Sequence, residues 1–277
     1  MLDPFRHSMC NEAFTEAGFA GSCRAMKASG YQGIEIAPFT LADDPATLPP
    51  SRRNELKQII AGEGLEFAGL HWLMAAPKGL HVTTPDDALR ARSWLHIRHL
   101  IDLCADLGPR GVMVFGSPNQ RGATGGASVQ EATRRFIDGL ASVAPHAVER
   151  GVRILVEALP ANQTNVVGTL AEAVAIVEQI GSPGIRTMFD SHNAVDEIEP
   201  HADLVERFFP YIDHVHVNET DGKHCGRGPY DFKPVLNVLA RRGYTGWLSL
   251  EAFDFSFGGE TIARESITYL KSEIGKL

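Results

Sequence analysis

Four residues in the second half of the chain stand where side chains commonly do chemistry: Glu157, Asp190, His216 and Glu251. Each closes a short apolar run with the character of a buried strand, over residues 154–156, 185–190, 212–216 and 247–251, and Pro160 ends regular pairing soon after Glu157. A metal-competent side chain delivered to the end of a buried strand is placed there to meet something. If the four ends converge, three carboxylates share one small volume, and at about 4 Å with an effective dielectric near 20 each like pair costs roughly 4 kcal/mol. Protonation or a bound cation relieves that repulsion. One imidazole with three carboxylates is an oxygen-rich donor set, better matched to Mn2+, Mg2+ or Co2+ than to structural Zn2+, and it leaves positions for two substrate oxygens. Such a site chelates a hydroxy-carbonyl as a Lewis acid. The competing account makes each residue a separate rim contact, with Glu157 pairing Arg153 or Arg186. Four in succession on successive strands favour convergence.

The elements that must position these residues follow from periodicity. Strand-like runs at 5–10, 33–38, 66–72 and 111–116 precede the four already named. The run at 33–38 turns either Ile34 and Ile36 or Gly33 and Glu35 inward, and the run at 66–72 places His71 at its end. Helical spacing follows each strand: 20–29, 52–61, a long segment after Asp86, a long segment carrying Phe136, Leu140, Val143 and Ala147, then 171–180, 204–209, 234–242 and 260–274. Residues 41–50 and the glycine-rich stretch 117–128 read as loops, and the latter contains no phosphate-loop motif. Eight strands alternating with helices imply a parallel sheet with right-handed crossovers, closed as a single-domain (β/α)8 TIM barrel over residues 1–277. In such barrels the working groups sit at the C-terminal strand ends. On alternation, Leu155, Met188, His214 and Ser249 lie one layer beneath the four candidates.

Composition sets bounds. The chain has 277 residues, a size that a single barrel of about 250 fits. With 26 Lys and Arg against 34 Asp and Glu the net charge is −8, which argues against gripping nucleic acid or an anionic membrane. No apolar window reaches a membrane span, and the start MLDPFRHSMC lacks the form of a signal peptide. Cys10, Cys23, Cys104 and Cys225 form no CxxC pair and read as reduced thiols, giving the expectation of a cytoplasmic protein. A homo-oligomer is allowed by this composition.

Beyond these spacings, the segments GIEI at Gly33, Glu157 to Asn165 with Thr169 starting the next helix, FDSHN at Phe189, HVHVNE at His214, GRGPYDF and SLEAF at Ser249 resemble the xylose-isomerase-like TIM-barrel superfamily along nearly the whole chain. That group includes ketose 3-epimerases, hydroxypyruvate isomerase and inosose dehydratase. The resemblance implies that Glu157, Asp190, His216 and Glu251 bind one divalent metal, with Mn2+ leading and Mg2+, Co2+ or Zn2+ as alternatives. It further implies that Glu157 and Glu251 exchange protons with a small sugar, polyol or hydroxy-ketone through a metal-stabilised enediolate. Return of the proton to the neighbouring carbon isomerises; return to the same carbon from the opposite glutamate epimerises.

Two departures bear on substrate contacts. The spacing Asp190-Ser191-His192 is one residue shorter than the Asp-x-x-His of many epimerases, so His192 is expected at the substrate. Where the family carries an Arg before a glycine turn, this chain has Lys223 and Arg227, either of which could supply the cation. Glu35 and His71 complete the expected substrate set, and Trp72, Phe115 and Phe253 are candidate walls. A dehydratase of a keto-inositol or related polyol is the alternative activity. An apurinic endonuclease is a more distant one: His71, Asp221 and His224 could join its metal set, but the strand ending at Phe115 brings no histidine.

Overall fold

The computed structural model describes residues 3–14 and 17–277. The strands are β1 (Arg6–Cys10), β2 (Gly33–Ile36), β3 (Glu66–Leu70), β4 (Val112–Phe115), β5 (Arg153–Val156), β6 (Ile185–Asp190), β7 (Ile212–Val217) and β8 (Trp247–Leu250). Each pairs in parallel with its sequence neighbour, and β1 closes on β8 with Arg6 opposite Trp247 and Met9 opposite Leu250. The expected eight-stranded barrel is therefore the observed one. Around it lie α1 (Gly18–Ser29), α2 (Pro50–Gly62), α3 (Asp87–Leu107), α4 (Pro118–Arg121), α5 (Val129–Arg150), α6 (Leu170–Ile180), α7 (His201–Phe208), α8 (Lys233–Arg241) and α9 (Gly259–Ile274). Among the described residues no helix is long and apolar enough to cross a membrane.

Helix starts follow local chemistry. Asp86 caps α3 by accepting from the Leu89 N–H, and Thr169 caps α6 by accepting from that of Glu172. Ser128 and Glu131 form a reciprocal capping box at α5, satisfying two otherwise unpaired N–H groups. The main apolar core lies between sheet and helices. Gly139 in α5 shows how tight it is: a Cβ there would overlap the Trp94 ring of α3, so only hydrogen lets that indole lie against the helix. Trp94 in turn packs against Phe115 and Phe136, with centroids 5.8 and 6.1 Å away.

A second, smaller core fills the barrel itself, from Val112, Val114, Leu155 and Met188. Leu155 and Met188 are the residues that strand alternation placed beneath Glu157 and Asp190, and His214 and Ser249 are likewise fully buried. This floor makes the strand ends above it a rigid mount.

Two expectations change. The 117–128 stretch is not simply a loop, because α4 forms within it, and its Arg121 is fully buried, donating to the carbonyls of Phe115 (2.9 Å) and Val167 (3.3 Å). The 41–50 stretch carries a one-turn helix, Pro45–Thr47, begun by the Asp44 side chain.

Candidate metal centre and active site

Glu157 sits one residue past β5, Asp190 ends β6, His216 lies next to last in β7, and Glu251 follows β8. All four are buried, and each offers a ligand atom within 4.8 Å of the others. The convergence expected from the sequence is what the barrel produces. Neither Arg153 nor Arg186 reaches Glu157; both pair instead with Asp213, at 2.8 and 3.3 Å.

The orientation of His216 tests whether this set suits a cation. Its Nε2 donates to Glu35 at 3.1 Å, which leaves Nδ1 turned toward the centre of the cluster. Nδ1 lies 3.0 Å from Glu251 Oε2 and 3.5 Å from Asp190 Oδ2, yet it makes no aligned hydrogen bond. A buried imidazole nitrogen left unpaired among carboxylate oxygens is what a divalent ion requires, and the carboxylate behind the ring fixes its tautomer. The donor set fits a metal.

Electrostatics agree. Burial, then the charges of Asp190 and Glu251, push the Glu157 carboxyl up to about 8. Burial also raises Glu251, against the pull of His216. For Asp190 burial acts upward, but the His216 imidazole close beside it, with the Asn193 N–H, holds it below the usual range. The cluster carries more negative charge than one imidazole balances.

Neighbouring groups hold the carboxylates in place. Asp190 Oδ1 accepts from the backbone N–H of His192 (2.7 Å) and Asn193 (3.1 Å). The Asn193 amide donates to Glu157 Oε1 at 2.9 Å and to Asp190 Oδ2 at 3.2 Å, and Gln163 in turn donates to Asn193 at 3.0 Å. Gly116 faces the other Glu157 oxygen so closely that a Cβ would overlap it. Asn193 and Gln163 are the functional residues that sequence reasoning missed; the amide ending the FDSHN segment was the available signal.

A cavity of about 380 Å3 opens above the four, lined by His71, Trp72, Ser117, Asn119, Glu157, Asn162, Gln163, His192, Asn193, Glu251 and Phe253 among others. His71 and His192 thus reach the pocket as expected. His192 gives its Nδ1–H to the Glu219 carbonyl at 3.0 Å and packs on Phe253 at 4.8 Å between centroids. His71 bonds Glu12 through Nε2 at 2.8 Å. Burial would lower this imidazole, but Glu12, Glu35 and Glu251 hold it up at about 9. Trp72 and Phe253 wall the cavity, whereas Phe115 belongs to the core beside Trp94 and Phe136.

Of the expected substrate set, Glu35, Lys223 and Arg227 lie outside the cavity lining. Glu35 is fully buried, and its oxygens accept from His214 Nε2 (2.8 Å) and His216 Nε2 (3.1 Å), beneath the centre rather than at its mouth. Burial acts to raise its carboxyl, but the two histidines hold it well below the usual range. Lys223 is bonded to Asp221 at 2.6 Å and Arg227 to Glu265 at 2.8 Å, both outside the cavity lining. His224 also pairs with Glu265, at 3.1 Å. Asp221 is thus paired with Lys223, while His224 and Arg227 both pair with Glu265.

Comparison with known proteins agrees with the geometry. The family described as xylose isomerase-like TIM barrel matches residues 23–273. The L-ribulose 3-epimerase of Mesorhizobium japonicum is 26% identical over 235 residues, covering 84% of this chain and 76% of that protein. The D-psicose 3-epimerase of Agrobacterium fabrum is 26% identical over 119 residues, 43% of this chain and 41% of that protein, so this match spans less than half of the relative. Among solved structures, a D-psicose 3-epimerase determined in the presence of D-fructose superposes with a TM-score of 0.84 at 18% identity, covering 98% of this chain and 100% of that one. At that identity the likeness speaks for the fold alone. The chain is an enzyme of the xylose isomerase-like TIM-barrel family.

Proposed function

We propose that the protein is a divalent-metal-dependent epimerase or isomerase of a small sugar or hydroxy-ketone. The observation that carries this reading is the meeting of Glu157, Asp190, His216 and Glu251 within 4.8 Å, with Glu157 and Glu251 on the lining of the cavity. A bound cation supplies Lewis-acid polarisation of a substrate carbonyl, and the donor chemistry of three carboxylates and one imidazole favours Mn2+. Glu157 and Glu251 both line the cavity, from strands three apart in the ring. One takes a proton from the carbon beside the carbonyl, and the other returns a proton to that carbon from its other face, inverting it. Asn193, donating to Glu157 Oε1, keeps that carboxylate aimed while it carries the proton. His71 and His192 bind substrate hydroxyls at the cavity wall. The proposal includes a cytoplasmic setting, with the four described cysteines free and buried.

The test is a screen of ketoses and hydroxy-ketones in D2O with protein stripped by EDTA and then resupplied with Mn2+, Mg2+, Co2+ or Zn2+. Expected is a product of unchanged formula carrying deuterium at the inverted or isomerised carbon, formed only with metal. Turnover indifferent to chelation, or without deuterium uptake, would sink the reading. A product lighter by one water reassigns the site to the dehydratase alternative.

A further inference from the structure

Behind the two aromatic walls of the active-site cavity lies a second and larger space, of about 830 Å3. Trp72 and Phe253 line both, so the two spaces share a partition. The outer one is walled by Phe39, Pro77 and Phe255 as well, with Glu12, Asp43 and Lys78 also on its lining. Its aromatics come from the segments after β2, β3 and β8, at the C-terminal barrel end whose loops shape substrate sites in this architecture.

Two further observations mark the chamber as built. Trp72 has φ +51°, in the left-handed region that bulky side chains rarely adopt, and this backbone turn is what sets its indole between the spaces. Phe39 and Phe255 remain 40% and 38% exposed, so apolar rings that ordinary packing would bury are presented to solvent beside the active site. The ring faces of Phe39, Trp72, Phe253 and Phe255 make most of this chamber's wall apolar, whereas the amides and carboxylates that suit a sugar line the inner cavity.

We propose that the outer chamber binds an apolar arm of the substrate: the natural substrate is a sugar or polyol carrying an aryl or alkyl substituent on the part turned away from the metal ligands. This rests on the sugar-site reading above and adds the substrate class. The hydroxylated part lies against Glu157, Glu251, His71 and His192. The substituent passes the edge of Trp72 and Phe253 to lie on Phe39 and Phe255.

A probe that carries only the apolar arm separates this claim from the activity. Fluorine NMR of para-fluorobenzyl alcohol with the full-length protein, in the presence of EDTA, should show saturable binding. The Phe39→Ala/Phe255→Ala variant should lose it, while Ile198→Ala, which removes a fully exposed apolar side chain elsewhere, should keep it. No saturable binding, or binding that survives the double substitution, overturns the proposal. So does sedimentation showing a dimer that excludes the probe and is dissolved by the double substitution, because the chamber would then be an interface between copies. For whichever sugar the metal screen identifies, its benzyl ether should have a KM about tenfold or more below that of its methyl ether in the unmodified protein, as burial of a phenyl ring predicts. That gap should close in the double variant; equal KM values overturn the substrate-arm claim. If no sugar turns over, the enzymatic reading falls while the probe experiment still decides the chamber.

Discussion

The barrel has a cavity at each end, of about 380 and 450 Å3, and the two differ in how charge is balanced. At the N-terminal end every named carboxylate has its cation: Arg6 meets Glu66 at 2.8 Å and lies over the Trp247 ring at 3.7 Å, while Arg153 and Arg186 share Asp213. These groups are partly solvated, so their pairing contributes little and demands nothing more. At the C-terminal end three buried carboxylates face one imidazole, and a buried nitrogen is left without a partner. A protein that neutralises one end so thoroughly does not leave the other unbalanced without use for the imbalance.

That contrast can be broken by substitution. The largest effect belongs to Glu157→Gln and Glu251→Gln, each expected to lower kcat by about a thousandfold, the scale of a lost proton-transfer group. Deuterium exchange at the substrate carbon checks this, and a loss under tenfold would return both residues to a merely structural role. Next comes Glu35→Gln, which removes the carboxylate behind His216. Mn2+ affinity, read by calorimetry, should fall by about 10- to 100-fold. Unchanged affinity would place Glu35 outside the centre's support.

A pH test sharpens the same contrast. The folded Glu157 carboxyl sits at about 8 against an ordinary value of 4.5, so its contribution to the stability of metal-free protein is complete in acid and is lost as pH rises through about 8. Metal must displace that proton. Its affinity should therefore rise by about tenfold per pH unit on approaching 8 and then level off. The gap in Tm between Mn2+-loaded and EDTA-treated protein should widen from about pH 6 to pH 9; a constant gap would contradict the protonated, charge-strained site. The smallest effect is expected at the balanced end, where Asp213→Ala removes partners of Arg153 and Arg186 and should cost about 1 kcal/mol in thermal unfolding. The kcat/KM should not change.

The sequence made β5 to β8 and their terminal residues readable because each ends an apolar run on a single polar group, a pattern that strand alternation alone interprets. The layer below was readable for the same reason, as Leu155 and Met188 show. Glu35 was harder. Alternation said that it could face inward, but its depth depends on how the tilted strands stagger around the ring, and only the closed barrel brings it under His216. The placement of Lys223 and Arg227 off the cavity lining was not readable, because the segment after β7 is held by Asp221 next to Lys223 and by Glu265 of α9, which is distant in sequence. The helix α4 was hidden by the glycines after it, and what holds its buried Arg121 is a pair of carbonyls, which leave no mark on residue type.

The hydrogen bond from His192 Nδ1 to the Glu219 carbonyl fixes the tautomer of a side chain that lines the cavity. A carbonyl oxygen only accepts, so Nδ1 carries the hydrogen, and a neutral imidazole then offers a lone pair at Nε2. Toward the cavity His192 is an acceptor in that form, able to recognise a hydroxyl but not an ether or a keto oxygen at the position it faces. On the proposed role of His192, one backbone carbonyl thereby writes a rule of selection: a substrate with that hydroxyl masked or oxidised would forfeit the contact.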